Sequence, residues 1–428
     1  MEKNLYESLP SYVCKAMDIL ASAGGKPYLV GGAVRDLLVG KTPYDYDIAS
    51  DLPPERVFRI LQEDAETPVP VVDNLGHNFG VVVGVFDGHP VEIATFRTDV
   101  NQYNGSHRPA SVRFSSSVEE DLARRDFTCN AMAMDRDGVI IDPFGGREDI
   151  SRKLLRPVGN AEERYREDPL RLYRACRFAS QLGFAYSENG TDVSDVMVRP
   201  DFWKECNAQA LPMERVRKEM EKLLLGDNVT AGLSLLMSSG LISAPFTVRN
   251  NGIETSVAPL QPLAHLNNLP QNTIYHCFDA WHHTMEAVRL VPKDLTLRWA
   301  MLFHDAGKGL EGIRSVNPKT GQPMDKGHET VSAQIVKESL PAFGYNRAFV
   351  NRVTWLVRNH MMGPNLTDAS EKQILKWLRR KTKDFRTQKE MSAAFRNLND
   401  VFLRICRPVV PMKKCSRPCV PICRLPVT

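Results

Sequence analysis

The order of hydrophobic and polar residues predicts a mixed α/β region over roughly the first 150 positions. Apolar residues recur with helical spacing over 11–23, and short apolar runs at 27–30, Val81–Phe86 and 90–96 predict strands. Residues 45–49 alternate acidic and apolar side chains, which is typical of a half-buried strand. Helices and strands that alternate in this way indicate a layered α/β unit.

The pattern becomes helical from about residue 161 and stays helical afterwards. Residues 167–182 and 213–225 are amphipathic and predict two helices. Residues 244–272 are rich in proline, asparagine and threonine, which predicts an irregular connecting segment. A histidine-rich helical region is predicted over 274–360. The chain as a whole is therefore predicted to have an α+β fold, with a mixed α/β head followed by helices.

The composition is that of a globular protein, with 43% hydrophobic and 25% charged residues. A length of 428 residues is more than one core usually organises, so we expect several compact units. No apolar run approaches the roughly 18 residues that a membrane span needs, and no secretory signal is recognised. We therefore expect a cytoplasmic protein with no membrane partner.

Charge is distributed unevenly along the chain. Residues 376–428 hold fourteen Lys or Arg and three acidic residues, a net charge of +11. Because the whole chain carries +4, the remainder carries −7. This asymmetry predicts a polyanionic partner for the C-terminal region, and a solvated basic helix is the alternative.

A glycine turn and a pair of aspartates form the first group with chemical meaning. On a strand, positions i and i+2 share a face, so Asp45 and Asp47 are predicted to present two carboxylates side by side. Two carboxylates this close repel unless a cation binds them, and Mg²⁺ prefers oxygen ligands. Gly31 and Gly32 begin a predicted helix whose free N–H groups would bind phosphate, and Arg35 lies one turn further on. The alternative is a capped turn with exposed acids.

This group and three later segments carry a resemblance to a known family. Gly-Gly followed at this distance by Asp-x-Asp resembles the signature of the nucleotidyltransferase superfamily that includes DNA polymerase β. The segments 120–131, 142–146 and 166–178 resemble, in the same order, the later motifs of class II, bacterial-type CCA-adding tRNA nucleotidyltransferases and their poly(A) polymerase relatives. The resemblance covers residues 28–225 and implies a polymerase-β-like head.

The resemblance implies transfer of a nucleotide to an RNA 3′-hydroxyl with release of pyrophosphate. Asp45 and Asp47 would be the catalytic carboxylates and the ligands of Mg²⁺, and Glu92, on an alternating strand, is a third candidate carboxylate. The residues expected to contact the nucleotide in the head are Gly31, Gly32, Arg35, Arg124 and Arg125.

The segment 166–178 implies a way to select nucleotides. Asp168, Arg171, Arg174 and Arg177 are spaced by three on one predicted helix and are expected to bind nucleotide. Cytosine and adenine each offer an amino donor beside a ring acceptor, which a carboxylate and a guanidinium can match. Asp168 and Arg171 would thus accept C and A and reject G and U. The alternative is an ordinary ion pair on an exposed helix.

A histidine cluster forms the second group with chemical meaning. The His-Asp dipeptide at 304–305 after an apolar run resembles the core of the HD phosphohydrolase superfamily, and histidine with carboxylate suits a divalent transition metal. The expected ligands or substrate contacts are His283, His304, Asp305, His328 and His360. The family usually has another Asp on a late helix, and the one nearby candidate is Asp400, so a degenerate domain without metal is the alternative. Phosphatase or cyclic phosphodiesterase activity is implied.

Together these resemblances predict four regions. They are a nucleotidyltransferase head over 1–150, a helical neck and body with an RNA-binding surface over 151–270, an HD-like helical domain over 271–370 and a basic tail over 371–428.

The implied activity is addition of CCA to tRNA from CTP and ATP. The histidines favour this function over a poly(A) polymerase acting on general RNA 3′ ends. A polar segment at 99–109 has the features of a flexible loop, which favours full CCA addition over a partial enzyme that adds only CC or only A. The Asp45–Asp47 pair argues against a non-catalytic RNA-binding protein. The expected partners are tRNA, CTP and ATP, with no protein partner.

Overall fold

The computed structural model describes residues 5–64, 68–73, 80–99, 112–187, 195–250, 253–362, 373, 376, 379–385 and 387–405. Most of the predicted loop at 99–109 and the tail from 406 onward lie outside these residues. The chain divides into two compact units, Met1–Arg171 with Phe184–Val196, and Leu172–Gly183 with Met197–Thr428. No helix in the described part is both long and apolar enough to cross a membrane.

The strands of the first unit are mostly short. Their bounds are β1 Tyr28–Val30, β2 Asp47–Ser50, β3 Val71–Asp73, β4 Val81–Phe86, β5 His89–Thr95, β6 Arg97–Asp99, β7 Val112–Phe114, β8 Ala133–Met134, β9 Ile140–Ile141, β10 Leu154–Leu155 and β11 Ala185–Tyr186. The described part holds a seven-stranded sheet in the order β3-β4-β5-β2-β1-β8-β9. Within it β2 and β5 run parallel, and the other pairs are antiparallel. The small pairs β6–β7 and β10–β11 lie apart from it.

The predicted hairpin of β4 and β5 is confirmed. Its strands meet at Asp87 and Gly88, which both have positive φ (50° and 84°), as a two-residue hairpin turn requires. Burial alternates along β4, so that Val82 and Phe86 enter the core that Met17 of the first helix also lines. Burying such side chains stabilises the unit by roughly 1.5–3 kcal/mol each.

The helices of the first unit are α1 Ser11–Ser22, α2 Gly32–Leu38, α3 Pro54–Arg59, α4 Val118–Ala123, α5 Gly146–Ser151 and α6 Ala161–Glu167. Helix α7, Leu170–Leu182, continues from the first unit into the second after Arg171. Single turns of 3-10 helix occur at Tyr6–Ser8 and Thr128–Asn130, and a π-helical turn at Ile60–Asp64.

The single helix predicted over 167–182 is wrong at its start. Helix α6 ends at Glu167 and α7 begins at Leu170. Asp168 has an extended backbone (φ −139°, ψ 98°), because the following proline disfavours the helical conformation and has no N–H to continue the ladder. The Asp168 carboxylate instead accepts a hydrogen bond from the N–H of Leu170 (3.1 Å) and caps α7.

The second unit is mainly helical. Its further helices are α8 Phe202–Glu205, α9 Met213–Leu224, α10 Val229–Ser238, α11 Ala280–Leu290, α12 Leu295–Phe303, α13 His328–Ala342, α14 Arg347–Asn359 and α15 Gln388–Ile405. Turns of 3-10 helix occur at Ala208–Ala210, Leu241–Ser243, Gln261–Leu266 and Thr382–Asp384, with Val196–Val198 at the junction of the units. Two antiparallel pairs join β12 Phe246–Asn250 to β13 Ile253–Val257 and β14 Arg314–Val316 to β15 Pro323–Asp325.

The segment 244–272, predicted to be irregular, is more ordered than its composition indicates. It contains the β12–β13 hairpin and the 3-10 turn Gln261–Leu266. Phe246, Leu263 and Leu266 are buried, so the few apolar residues among the prolines and asparagines anchor this segment to the core.

Candidate functional site

Two carboxylates, those of Asp47 and Glu92, lie on adjacent strands at the centre of the large sheet, and that of Asp45 lies in the loop before β2. Strand β2 begins at Asp47, two residues later than predicted, so Asp45 is exposed in the preceding loop while Asp47 is half-buried. Ile48 pairs with Ile93 across the parallel strands β2 and β5. The same register places Asp47 beside Glu92, with both side chains on the face opposite Ile48 and Ile93.

The electrostatics of Asp47 agree with this placement. Burial, together with the charges of Glu92 and Asp45, raises the pKa of the Asp47 carboxyl to about 6, and the charge of Arg125 opposes this rise. Carboxylates that repel one another in this way are the arrangement that a hard divalent cation stabilises. The donor chemistry of Asp45, Asp47 and Glu92 therefore suits a divalent cation, and metal binding by these three residues stays a prediction.

An aromatic stack holds the Asp-Tyr-Asp segment. Tyr46 is buried and meets the ring of Tyr12 edge-on, with centroids 6.1 Å apart. Tyr12 in turn stacks on His89 at the start of β5, with centroids 4.4 Å apart. Strand β5 also carries Glu92, so one stack positions both sequence segments that supply the carboxylates.

The glycine turn lies against Arg125, which belongs to the segment 120–131 of the predicted resemblance. Gly31 has φ 70°, and a β-carbon built on it would lie 2.7 Å from Nη1 of Arg125. Only glycine combines this backbone conformation with so close an approach. Gly31 and Arg125 are thus brought together, and phosphate binding by the N–H groups of Gly31 and Gly32 stays a prediction.

Arg124 and Arg125 share one buried carboxylate, that of Asp121, which was not among the residues predicted from the sequence. Arg124 Nη2 lies 2.6 Å from Asp121 Oδ1, and Arg125 Nη2 lies 3.2 Å from Asp121 Oδ2. Burial alone would raise the pKa of Asp121, but the two arginines bring it below its ordinary value. The spacing i, i+3 and i, i+4 on a helix was a usable signal for this triad.

Arg35 is held by its own neighbours. Its guanidinium donates to Asp36 Oδ1 (Nε, 2.9 Å) and to Asn130 Oδ1 (Nη1, 2.5 Å). Asn130 Nδ2 donates to the buried Asp126 (3.3 Å). Asn130 and Asp126 belong to the segment 120–131, so this network fixes Arg35 near that segment. Contact of Arg35 with a triphosphate stays a prediction.

Arg171, at the start of α7, also contacts the segment 120–131. Its buried guanidinium donates to Glu167 Oε2 (2.8 Å), to the carbonyl of Arg164 (3.0 Å) and to the carbonyl of Arg124 (2.8 Å). Glu167, four residues earlier, is thus a carboxylate partner of Arg171. Asp168 and Arg171 lie in the first unit with the three carboxylates.

Arg174 and Arg177 belong to the second unit. Arg177 forms an ion pair with Glu219 (3.2 Å) in which both side chains are less than one tenth exposed, and its guanidinium lies 4.0 Å from the ring centroid of Phe178. Arg174 lies 5.4 Å from the same centroid. Arg177 therefore has a structural partner inside its own unit, and nucleotide binding by these two residues stays a prediction.

The histidine cluster assembles as the sequence predicts. His283 lies on α11, His304 and Asp305 follow α12, His328 begins α13 and His360 follows α14. Asp305 Oδ2 lies 3.6 Å from His283 Nε2 and 3.2 Å from His304 Nε2. Asp305 Oδ1 lies 3.1 Å from His328 Nε2 and 3.7 Å from His360 Nε2. One carboxylate oxygen thus faces each pair of imidazoles.

Hydrogen bonds fix three of these rings with Nε2 toward the centre. His304, His328 and His360 each donate Nδ1–H to a backbone carbonyl at 2.7 Å, which leaves the Nε2 lone pair for a metal. Nε2 atoms of His283 and His304 lie 3.3 Å apart. Burial lowers the pKa of His283, and it lowers the pKa of His360 to about 4, so both stay neutral as ligands must. The cluster fits one or two divalent metals.

Within the described residues, the two groups of three ligand atoms that lie within 4.8 Å of one another both belong to this cluster. They are His283, His304, Asp305 and Asp305, His328, His360. The carboxylates of the first unit are not among them, and neither is Asp400, which lies on α15. His328 and His360 thus complete a second ligand group around Asp305 without a late aspartate.

Three residues beside the cluster were not predicted. Lys308 Nζ lies 2.8 Å from Asp305 Oδ2 and donates to Gln271 Oε1 at 2.7 Å. The ring of His276 meets that of His283 edge-on, with centroids 4.9 Å apart, and burial lowers the pKa of His276 to about 4. Lys308 stands three residues after Asp305, which is a signal, whereas nothing local in the sequence marks Gln271 or His276.

The sheet, its carboxylates and the histidine cluster define a nucleotidyltransferase head and an HD domain in one chain. Residues 27–156 match the family model of the poly A polymerase head domain, 207–247 that of the probable RNA and SrmB-binding site of polymerase A, and 273–389 that of the HD domain. These matches confirm the predicted resemblance to bacterial-type CCA-adding tRNA nucleotidyltransferases and poly(A) polymerases with an HD domain, and the predicted fold class. A head of this kind implies use of a divalent metal.

Similar proteins include two bacterial enzymes. The CCA-adding enzyme of Geobacillus kaustophilus (strain HTA426) is 48% identical over 223 residues, which are 51% of this chain and 50% of the relative. That of Bacillus subtilis (strain 168) is 38% identical over 262 residues, 60% and 61% of the two chains. The chain thus spans about half the length of the curated relatives it matches.

Two solved structures share the fold. The CCA-adding enzyme of Bacillus stearothermophilus in complex with CTP superposes with a TM-score of 0.57 at 29% identity, over 91% of this chain and 76% of the other. A tRNA nucleotidyltransferase complexed with a primer tRNA and an incoming ATP analog gives a TM-score of 0.54 at 21% identity, over 91% and 93% of the two chains.

Proposed function

We propose that this protein adds CCA to the 3′ end of tRNA, using CTP and ATP. The observation that carries the proposal is the placement of Asp47 beside Glu92 on the adjacent strands β2 and β5, with Asp45 in the loop before β2 and Arg125 near enough to lower the pKa of Asp47. The relatives described above are CCA-adding enzymes, and one solved relative holds CTP. A cytoplasmic location and the four regions 1–150, 151–270, 271–370 and 371–428 are part of the same proposal.

The chemistry assigned to the head is attack of a tRNA 3′-hydroxyl on the α-phosphorus of a nucleoside triphosphate, with pyrophosphate leaving. Asp45, Asp47 and Glu92 would hold Mg²⁺, which when bound lowers the pKa of the hydroxyl and neutralises the leaving charge. Arg125, placed against Gly31 and Asp121, contributes positive charge at the triphosphate. Positioning by these side chains supplies most of the remaining catalysis.

Selection of C and A is assigned to Asp168 and Arg171. The Asp168 carboxylate accepts from the exocyclic amino group, and a guanidinium N–H of Arg171 donates to the ring nitrogen. Arg171 is fixed by Glu167 and by the carbonyl of Arg124, so its position is set before a nucleotide arrives. A preset donor discriminates better than a mobile one, because less ordering accompanies binding.

Replacing Asp168 by asparagine tests this selection without removing the helix cap. Asparagine caps a helix about as well as aspartate, so folding should be retained. The amide of asparagine can donate a hydrogen bond, whereas the carboxylate could only accept one. The ratio of UTP to CTP incorporation should therefore rise by roughly tenfold or more, which is within the 1–3 kcal/mol that one base-edge contact contributes. Single-turnover incorporation of each nucleotide measures the ratio. An unchanged CTP-to-UTP ratio at an unchanged rate would leave Asp168 with a capping role alone.

Other functions of the head make different predictions. A poly(A) polymerase would extend general RNA 3′ ends with ATP and ignore CTP, and a partial enzyme would stop after CC or add only A. A non-catalytic RNA-binding protein would bind tRNA and transfer nothing. The three carboxylates argue against the last of these.

The histidine cluster supports a second activity, hydrolysis of a phosphomonoester or a 2′,3′-cyclic phosphate. The observation is that Asp305 presents one oxygen to His283 and His304 and the other to His328 and His360. Metal bound there would supply a hydroxide nucleophile at neutral pH and polarise the phosphoryl oxygens. Ni²⁺, Mn²⁺ and Mg²⁺ are the ions to try first.

The basic C-terminal region is proposed to bind the body of the tRNA. In the described part of it, Lys376, Arg380, Lys383 and Lys389 are exposed. Contacts with phosphates position an RNA without reading its sequence. Deleting 376–428 is a poor test, because Leu398 and Val401 of α15 are fully buried and their removal would open the core of the second unit.

Changing Lys376, Arg380, Lys383 and Lys389 together to glutamine removes charge and keeps the core. The variant should bind tRNA more weakly, with a salt slope shallower by roughly 0.7–0.9 for each phosphate that is no longer neutralised, while its preference for CTP over UTP stays the same. Filter binding over a series of salt concentrations measures both. A Lys319→Gln/Lys337→Gln variant, which changes exposed lysines elsewhere in the unit, is the control. Equal affinity and slope in the two variants would make the charge asymmetry a solubility feature.

A further inference from the structure

The side chains of the histidine cluster are almost completely buried. His283, His304, Asp305, His328 and His360 are each 4% exposed or less. His276 differs, because it touches the cluster and is only partly buried. A phosphoryl group that approaches the half of the site formed by His283 and His304 would therefore meet His276.

Hydrogen bonds tie the segment that carries His276 to the cluster. We call residues 271–278 the Gln271 loop. Gln271 Nε2 donates to the carbonyl of Phe278 (3.2 Å), which joins the two ends of the loop. Lys308 Nζ donates to Gln271 Oε1 (2.7 Å) and lies 2.8 Å from Asp305 Oδ2. One buried amide thus connects the loop, through a single lysine, to the carboxylate at the centre of the site.

The side chain of His276 is incompletely satisfied. Its Nδ1 is buried and has no hydrogen-bond partner among the described residues. Buried polar nitrogens in folded proteins nearly always have a partner. The ring nonetheless stays against His283, edge-on with an interplanar angle of 82°, because the loop is held from Gln271. An imidazole that lies against the histidine cluster and has one unpaired nitrogen is suited to bond a group that enters the cluster.

We propose that His276 is a substrate-contacting residue of the HD site, whose imidazole donates a hydrogen bond to a non-bridging oxygen of the phosphoryl group. The proposal rests on the hydrolase function proposed above. A neutral imidazole carries one N–H in either tautomer, so the contact needs no protonation of the ring. Because His276 stands outside both three-ligand groups, its replacement should weaken phosphate binding and leave the metal in place.

The test uses inorganic phosphate as the probe and the full chain loaded with Mn²⁺. Isothermal titration calorimetry should show that His276→Ala binds phosphate about tenfold or more weakly than the wild type, the loss expected for a hydrogen bond to a charged group. His276→Gln, which keeps an N–H donor, should recover part of that affinity. His282→Ala is the control, since His282 is exposed and bonds to Asp279 instead (2.8 Å). Metal content of every variant is measured by mass spectrometry.

The outcomes separate this inference from the function on which it rests. Wild-type protein that takes up metal and hydrolyses phosphoesters, with equal phosphate affinity in His276→Ala, would overturn the role of His276 alone. Loss of metal from His276→Ala would also overturn it, because His276 would then be a ligand. Wild-type protein that takes up no metal would overturn the hydrolase function, and the inference with it.

Discussion

Replacing Asp47 by asparagine should lower the rate of nucleotide addition by about a thousandfold or more, which corresponds to roughly 4 kcal/mol of transition-state stabilisation. Asparagine keeps the shape of the side chain and removes the charge that a metal ion needs. The same loss is expected for Asp45→Asn, and the rate of Glu92→Gln should also fall, because the strand register places Glu92 beside Asp47. Affinity for tRNA should change little, since RNA affinity comes mostly from basic residues.

The thermal stability of Asp47→Asn provides an independent check. Burial and the charges of Glu92 and Asp45 disfavour the ionised carboxylate in the folded protein. A neutral side chain relieves this repulsion, so Tm without added metal should stay equal or rise. Asp87→Asn, at the exposed β4–β5 turn, is the matched control and should retain full activity. Near-normal addition by both Asp45→Asn and Asp47→Asn would remove the site assignment.

Replacing Asp305 by asparagine should abolish metal uptake by the HD cluster and, with it, hydrolysis of 2′,3′-cyclic phosphates and phosphomonoesters. The effect should be larger than that of any single histidine, because Asp305 is the one residue that belongs to both three-ligand groups. Metal analysis and a colorimetric phosphate assay with Ni²⁺, Mn²⁺ or Mg²⁺ measure the two losses. His304→Ala should leave the second group, with His328 and His360, intact, so it should retain part of the metal.

The two sites provide reciprocal controls. Asp305→Asn should add nucleotides to tRNA at the wild-type rate, and Asp47→Asn should hydrolyse phosphoesters at the wild-type rate. Hydrolysis that survives in Asp305→Asn would place the activity outside the cluster. A wild-type chain that hydrolyses nothing with any of the three metals would indicate an HD domain that keeps its fold without catalysis.

Local signals explain what the sequence could predict. Helix α1, the β4–β5 hairpin at Asp87 and Gly88 and the His-Asp pair at 304–305 all depend on spacing within a few residues, and the structure contains all three. The other histidines of the cluster lie far apart in the sequence and were predicted from the resemblance to the HD superfamily. The break at Asp168 was also readable, because a proline follows it, but amphipathic spacing across the break favoured one long helix. Likewise, an Asn-Gly dipeptide at 251–252 is a hairpin signal within a segment whose composition indicated a linker.

Long-range partners explain what the sequence could not predict. The ion pair of Arg177 with Glu219 joins residues on different helices, and nothing near Arg177 indicates it. Arg171 bonds to the carbonyl of Arg124, a contact across 47 positions that no side-chain pattern encodes. His276 likewise lies against the histidine cluster in a loop that Gln271 ties to Lys308, a contact across 37 positions. Such contacts depend on how elements pack, and packing is specified by the whole chain.

The central claim is tested most directly by one primer-extension measurement. A tRNA transcript that ends at the position before CCA is incubated with Mg²⁺ and each nucleotide singly, then with CTP and ATP together, and the products are resolved to single nucleotides. We expect two additions with CTP alone, three with CTP and ATP, and negligible addition with GTP or UTP. A ladder of many adenylates with ATP alone, a stop after two additions when both nucleotides are present, or no extension at all would contradict the proposed function.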